Sequence, residues 1–124
     1  MGHAVTYCAT SPSLCVLEKL VRIEDPLLLP DLVMVTYEAQ DNVEVETIEV
    51  ESLPSDWRMR EGWTQRRGDA WHEARATPLL RVASAIVPVS GSPDVNVVIN
   101  HNHSAAREIR LRRVEQFVFD PRLL

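Results

Sequence analysis

The hydrophobic period of the chain changes abruptly near residue 11, and this change predicts a strand, a tight turn and a helix within residues 5–22. Apolar and polar residues alternate up to Tyr7, as in a half-buried strand. Ser11 is a favourable N-cap, because its hydroxyl can accept a hydrogen bond from a free amide of the first turn. Pro12 then falls at the first helical position, where its missing N–H costs nothing. We therefore expect the helix to begin at Pro12.

Apolar residues surround most of this predicted helix, so it should lie against a core. These residues are Leu14, Val16, Leu17, Leu20 and Val21. Glu18 lies at the edge of the apolar arc. Spacing alone favours a solvated glutamate that forms a weak pair with Arg22, worth about 0.3 kcal/mol. The alternative is a carboxylate that belongs to a functional site.

The composition is that of one globular domain over residues 1–124, with 45% hydrophobic and 25% charged residues. The net charge of −5 argues against direct binding of nucleic acid or of an acidic membrane surface. No apolar run reaches membrane-spanning length and no signal peptide precedes the first strand, so we expect a cytoplasmic protein. Cys8 and Cys15 are too few for a disulfide framework, and we expect two reduced core thiols.

Three apolar stretches in the middle of the chain predict strands. Residues 31–38 alternate, and we expect this strand to pair with residues 42–51, whose hydrophobic phase shifts by one and requires a bulge near Thr47. Residues 79–89 are too apolar to face water on either side, which predicts a central strand with Ser84 in its middle.

The remaining elements complete an α+β pattern. Thr64 can cap a second helix over residues 64–76, with Trp71 as its anchor in the core. Residues 95–100 and 109–119 predict two further strands. The pattern as a whole predicts about six strands in mostly antiparallel sheets, with two main helices.

Other candidate sites carry weaker signals. His101 and His103 could be two metal ligands, but no H-E-x-x-H or C-x-x-C motif accompanies them, so we expect no metal. The basic strip at residues 110–113 is more typical of a solvated strand edge on an acidic domain than of a phosphate site. A buried serine such as Ser84 usually only satisfies a backbone group.

One resemblance extends through the sequence. A tyrosine that ends a strand, followed by A-T-S-P-S-L and a helical L-E-K-L-V, resembles the opening of the RES domain, a family of bacterial toxins named for an arginine, a glutamate and a serine. Five further landmarks follow in the family's order. They are LPSDW at 53–57, GDAW at 68–71, VASAIVP at 82–88, N-x-x-H at 100–103 and FDPRL at 119–123. The resemblance covers nearly the whole chain.

The resemblance implies an ADP-ribosyltransferase-like fold and the role of toxin in a bacterial toxin–antitoxin pair. Such toxins attack NAD+ by hydrolysis or phosphorolysis, or move its ADP-ribose onto a target. NAD+ is then the substrate, and no metal is implied. The implied partner is an Xre-type antitoxin, which usually blocks the entrance to the active site. A homodimer is left open.

The resemblance also implies roles for particular residues. Glu18 matches the family's glutamate, which stabilises positive charge that develops on the ribose. Ser84 matches the serine and could bind the pyrophosphate, while Tyr7 matches the tyrosine, which stacks on a base and orients the ribose. Asn100 and His103 fall on the N-x-x-H motif, where they either bind NAD+ or anchor a loop.

The sequence departs from the family at its start, where nothing corresponds to the family's arginine-bearing first strand. Three interpretations therefore stand beside each other. The first is an NAD+-consuming toxin, in full form or with a mis-assigned start. The second is a truncated, inactive RES domain that binds an Xre-type antitoxin. A third is an unrelated small α+β ligand-binding domain that shares only the landmarks.

Overall fold

The computed structural model describes residues 4–124, which form six strands and two helices. The strands are β1 Val5–Ala9, β2 Leu32–Glu38, β3 Val45–Ile48, β4 Leu79–Val82, β5 Asn96–Asn100 and β6 Arg110–Phe117, and the helices are α1 Pro12–Leu20 and α2 Glu61–Ala74. Short 3-10 turns lie in several of the connections. The predicted α+β class, with about six mostly antiparallel strands and two helices, is confirmed.

Four of the strands form a main sheet in the order β1, β5, β4, β3. β5 is antiparallel to both of its neighbours, β1 and β4, whereas β3 runs parallel to β4. β2 and β6 form a separate antiparallel ribbon, whose register shifts between Thr36 and Tyr37. Both β5 and β6 lie where the sequence predicts strands.

The main sheet has a core on each face, because successive residues of a strand point to opposite sides. One cluster of buried side chains contains Ile48, Trp71, Leu80 and Val98. The other contains Val43, Leu79 and Ile99. The adjacent Leu79 and Leu80 of β4 therefore contribute to opposite cores, and α2 covers the first face through Trp71.

Helix α1 begins as the sequence predicts. Ser11 is the N-cap, its Oγ accepts a hydrogen bond from the Leu14 backbone N–H at 3.2 Å, and Pro12 is the first helical residue. Leu14 is buried, but Leu17 and Val21 are exposed, so only part of the apolar circumference packs. Neither helix within residues 4–124 has both the length and the apolar composition needed to cross a bilayer.

The predicted pairing of β2 and the predicted bulge in the next strand are both wrong. β2 pairs with β6 instead of with residues 42–51. β3 pairs with β4 in an unbroken register that includes Thr47. The hydrophobic phase shift has another cause: Val43 is buried before the strand begins, Val45 is 41% exposed, and Ile48 is buried in the opposite core.

The second helix begins earlier than the sequence predicts. It starts at Glu61, and Thr64 is not its cap, because the Thr64 hydroxyl donates to the Glu61 carbonyl oxygen at 2.9 Å within the first turn. It ends at Ala74, and its C-cap residue, Arg75, adopts a left-handed conformation with φ of 53°. Trp71 is confirmed as the anchor: it is 3% exposed, and its indole Nε1 donates to Thr77 Oγ1 at 3.0 Å.

The predicted strand over residues 79–89 is an interior strand but a short one. It ends at Val82, so Ser84 follows the strand instead of lying in its middle. The Ser84 Oγ accepts hydrogen bonds from the backbone N–H groups of Ile86 at 3.0 Å and Val87 at 3.3 Å. A serine hydroxyl that binds nearby backbone amides stabilises a turn, which competes with continuation of the strand.

The cap of α1 can be tested with two neighbouring serines. We expect Ser11→Ala to lower the free energy of unfolding by about 1 kcal/mol, because an orphan amide of the first turn loses its acceptor. Ser13→Ala is the matched control, since Ser13 lies exposed in the same turn without serving as the cap. Urea unfolding of both variants measures the difference, and an equal effect of the two changes would contradict the capping role.

Candidate functional site

Two residues that lie 66 positions apart in sequence form a hydrogen bond, Glu18 on α1 and Ser84 after β4. The Ser84 Oγ donates to Glu18 Oε1 at 2.7 Å. Ser84 is completely buried and Glu18 is half-buried. Glu18 follows the buried Leu14 by four residues, so both side chains lie on the helix face turned toward the sheet. Helix geometry thus carries the carboxylate to the loop after β4.

Asn96 completes this cluster, and the sequence analysis missed it. Its Nδ2 donates to the same oxygen, Glu18 Oε1, at 2.9 Å. Asn96 begins β5, where it lies opposite Ala9 of β1 and Val82 of β4. Asparagine is depleted in strands, so a polar amide beside the apolar run of β5 was the available signal.

The Ser84 hydroxyl uses all of its ordinary hydrogen-bonding capacity within the protein. A serine hydroxyl has one donor and two acceptor sites. Its donor goes to Glu18, and its acceptor sites receive the amides of Ile86 and Val87. A pyrophosphate oxygen would therefore compete with Glu18 for the Ser84 proton. The pyrophosphate role of Ser84 stays a prediction, and the observed geometry favours a role through Glu18.

The two oxygens of the Glu18 carboxylate are not equivalent. Oε1 accepts both hydrogen bonds, whereas Oε2 accepts none from residues 4–124. Because Glu18 is half-buried, its charge acts at short range with less screening than that of a fully solvated carboxylate. A fixed carboxylate with one free oxygen can stabilise positive charge on a bound molecule.

Tyr7 lies on a cleft beside this cluster. It is 79% exposed and belongs to the lining of a cleft of about 530 Å³ between β1, α1 and β2. Cys15 and Lys19, which flank Glu18 on α1, also line the cleft, but Glu18 itself turns toward Ser84. The structure therefore brings Glu18 and Ser84 together and leaves Tyr7 on the neighbouring cleft, without a hydrogen bond to either.

The N-x-x-H residues make structural contacts. Asn100 is completely buried, its Nδ2 donates to the His72 carbonyl oxygen at 3.1 Å, and its Oδ1 accepts from the Asn102 backbone N–H at 2.9 Å. His103 Nδ1 accepts from the Ala105 backbone N–H at 3.0 Å and caps a short 3-10 turn. These contacts favour the loop-anchor alternative for both residues.

The two cysteines line the same cleft as free thiols, each half-buried. Burial, and to a smaller extent the proximity of Cys15, raises the pKa of the Cys8 thiol above its usual value of 9.0. Cys8 is therefore protonated at neutral pH and is a weak nucleophile.

Metal ligands do not converge in the part of the chain that the structure describes. No group of three or more His, Cys, Asp or Glu side chains there could share one ion. His101, one of the two histidines considered as ligands, has its Nε2 at 2.6 Å from Thr6 Oγ1 in a hydrogen bond. That contact ties the end of β5 to β1.

Comparison with known proteins identifies a family and several relatives. The model of the RES domain family matches residues 1–120. A "Toxin Res" of Photorhabdus laumondii is 35% identical over 81% of this chain, and a "Toxin Res" of Yersinia enterocolitica is 32% identical over 98%. A "Prs ADP-ribosylating toxin" of a Sphingobium strain is 30% identical over 100%. The chain spans 62% of the Photorhabdus relative, 79% of the Yersinia relative and 77% of the Sphingobium relative.

Removing the Ser84 hydroxyl should destabilise the protein. We expect Ser84→Ala to lower the free energy of unfolding by about 2 to 3 kcal/mol, because the amides of Ile86 and Val87 lose their acceptor. The control is Ser55→Ala at an exposed loop position, where we expect a change below about 0.5 kcal/mol. Chemical unfolding measures both variants, and equal stability of the two would contradict the turn-closing role.

The raised pKa of Cys8 predicts a loss of stability at alkaline pH. In the unfolded chain the thiol loses its proton near pH 9.0, whereas in the folded chain it keeps the proton to higher pH. The stabilisation is therefore complete below pH 9.0 and is lost as the pH rises toward the folded pKa, with a slope of at most about 1.4 kcal/mol per pH unit.

Unfolding of the wild type and of Cys8→Ala, compared between neutral pH and pH 10, measures this dependence. We expect the wild type to lose more stability than Cys8→Ala over this range. A difference between the two proteins that does not change with pH would contradict the prediction.

Proposed function

This chain belongs to the RES domain family, and from that premise we propose that it is the toxin of a bacterial toxin–antitoxin pair and that it cleaves NAD+ between nicotinamide and ribose. The observation that carries the proposal is the 2.7 Å hydrogen bond between Ser84 and Glu18. Ser84 and Glu18 match the family's serine and glutamate in separate motifs, and they meet although 66 positions separate them. Relatives named as toxins support the same role.

The proposed reaction breaks the bond between the C1′ carbon of the ribose and the ring nitrogen of nicotinamide. Nicotinamide leaves with the bonding electrons as a neutral molecule, and positive charge develops on the ribose. An acceptor oxygen then forms the new bond to C1′: water gives ADP-ribose, inorganic phosphate gives the phosphorylated product, and a protein side chain becomes ADP-ribosylated. The name of the Sphingobium relative supports the third possibility for that protein.

Glu18 is the catalytic carboxylate in this proposal. Its free Oε2 faces the positive charge on the ribose or accepts a hydrogen bond from the 2′-hydroxyl. A carboxylate that is half-buried and already oriented needs little rearrangement as the charge develops. Ser84 acts by holding Oε1 in place, and contact of its hydroxyl with the pyrophosphate would require exchange of that hydrogen bond.

Tyr7 is proposed to bind the dinucleotide. Its ring is exposed in a cleft of about 530 Å³, where it can stack on a base and its hydroxyl can orient the ribose. Lys19 lines the same cleft and supplies a positive charge there. No residue of this sequence matches the family's arginine. Asn100 and His103 are proposed to support the site as loop anchors.

The partner and location of the toxin are proposed from the family. We propose an Xre-type antitoxin that covers the entrance to the NAD+ site, and action in the cytoplasm, where NAD+ is available. A homodimer is compatible with these proposals.

The enzyme proposal predicts that the purified chain consumes NAD+ and that Glu18→Gln greatly lowers the activity. The substitution removes the charge while retaining the shape, and we expect a loss of about 100- to 1,000-fold in kcat. Glu24→Gln is the matched control, because Glu24 is exposed just beyond α1. Activity is measured as disappearance of NAD+ with and without inorganic phosphate.

The results of this assay distinguish the possible reactions from each other and from an inactive binding module. Loss of NAD+ that requires phosphate selects phosphorolysis, whereas release of nicotinamide without phosphate selects hydrolysis or protein transfer. Equal activity of Glu18→Gln and Glu24→Gln would exclude Glu18 as the catalytic carboxylate. A folded wild-type chain that consumes no NAD+ would favour the antitoxin-binding module.

A further inference from the structure

We propose that Asn96 is a positioning residue for the reaction at Glu18: together with Ser84 it fixes Oε1 of the carboxylate and leaves Oε2 free to act on the substrate. This inference rests on the proposed catalytic role of Glu18. Asn96 lies outside the sequence motifs and is not one of the three residues for which the family is named.

The geometry distinguishes the two carboxylate oxygens. Asn96 Nδ2 lies 2.9 Å from Glu18 Oε1, and Ser84 Oγ lies 2.7 Å from the same atom. Two donors from different elements restrict rotation of the carboxyl group about its terminal bond more strongly than one donor does. With Oε1 held in this way, the direction in which Oε2 points is set by the protein before any substrate binds.

The two donors differ in how firmly the fold holds them. Asn96 belongs to β5, and its backbone lies between β1 and β4, opposite Ala9 and Val82. Ser84 belongs to the loop after β4. A site residue carried by a paired strand is held more precisely than one carried by a loop. Asn96 therefore ties the carboxylate to the main sheet, and Ser84 ties it to the loop.

The chemistry of the donor is also suited to this role. An amide is neutral, so it orients the carboxylate without forming an ion pair. A lysine or arginine at the same position would orient Glu18 equally well, but its positive charge would oppose stabilisation of the developing positive charge on the ribose. Aspartate would keep the shape of Asn96 but would lose the donor and bring a second carboxylate to Oε1.

These properties define the test. The variants are Asn96→Asp, which is nearly isosteric, Asn96→Ala, and the control Asn42→Ala at an exposed turn position. For each variant, kcat and KM for NAD+ consumption are measured beside the thermal midpoint and the circular dichroism spectrum. In parallel, the side-chain amide resonances of Asn96 are compared in the wild type and in Glu18→Gln by ¹⁵N NMR.

We expect both Asn96 variants to lower kcat by about 10- to 100-fold, the range for loss of a hydrogen bond to a charged group. KM should change by less than about threefold, because the proposed role gives Asn96 a contact with Glu18 and none with NAD+. Asn42→Ala should retain wild-type kcat and KM. The Asn96 amide resonances should shift in Glu18→Gln, since the acceptor loses its charge.

Three results would overturn the inference. The first is unchanged kcat in both Asn96 variants while the wild type is active and Glu18→Gln is not; this leaves the proposed function intact. The second is a loss of activity that follows the loss of folded protein in both variants, which would make Asn96 merely structural. The third is an inactive wild type, which would overturn the proposed function together with this inference.

Discussion

β5 is hydrogen-bonded to a neighbouring strand on each of its edges, and this double pairing is the constraint on which the rest of the fold depends. Its interior residues Val98 and Ile99 enter the two opposite cores. Its terminal residues are asparagines that hold the two helices: Asn96 donates to Glu18 of α1, and Asn100 donates to the His72 carbonyl of α2. One short strand therefore fixes both cores and both helices relative to the main sheet.

The loop after β4 joins this framework to the site through a single hydroxyl. Ser84 ends the strand by accepting the amides of Ile86 and Val87, and the same oxygen donates to Glu18. The same hydroxyl group thus closes the turn and orients the carboxylate. A buried hydroxyl with all three hydrogen bonds formed carries little of the cost that burial of a polar group otherwise brings.

The parts of this structure that could be predicted from sequence are those governed by local chemistry. The start of α1 follows from Ser11 and Pro12 alone, and the burial of Trp71 follows from the preference of a large aromatic side chain for the core. The pairing of β2 with β6 could not be predicted, because the intervening chain offers a nearer partner and only tertiary packing decides between them. The end of β4 depends on Ser84, whose conformation depends on a residue 66 positions away.

The candidate site was predictable to a different extent for each of its residues. Glu18 and Ser84 were found through the family resemblance, since helix spacing and burial alone favour ordinary roles for both. Asn96 is an unusual residue at the start of an apolar strand, but that position alone does not reveal that its amide contacts a carboxylate on a helix 78 positions earlier.

In the proposed site, the group that would act on the substrate is separate from the surface that would bind it. Glu18 is tied through neutral donors to the main sheet and to the loop after β4, whereas the adjoining cleft has β2 of the two-stranded ribbon as its other wall. An isolated two-stranded ribbon is only marginally stable, so this wall depends on side-chain packing, while the main sheet has a core on each face. The fold thus ties the carboxylate of α1 to β5 of the well-packed main sheet, and forms the adjoining cleft beside the less constrained ribbon. That arrangement suits the proposed reaction, which needs one fixed charge beside a large, flexible dinucleotide.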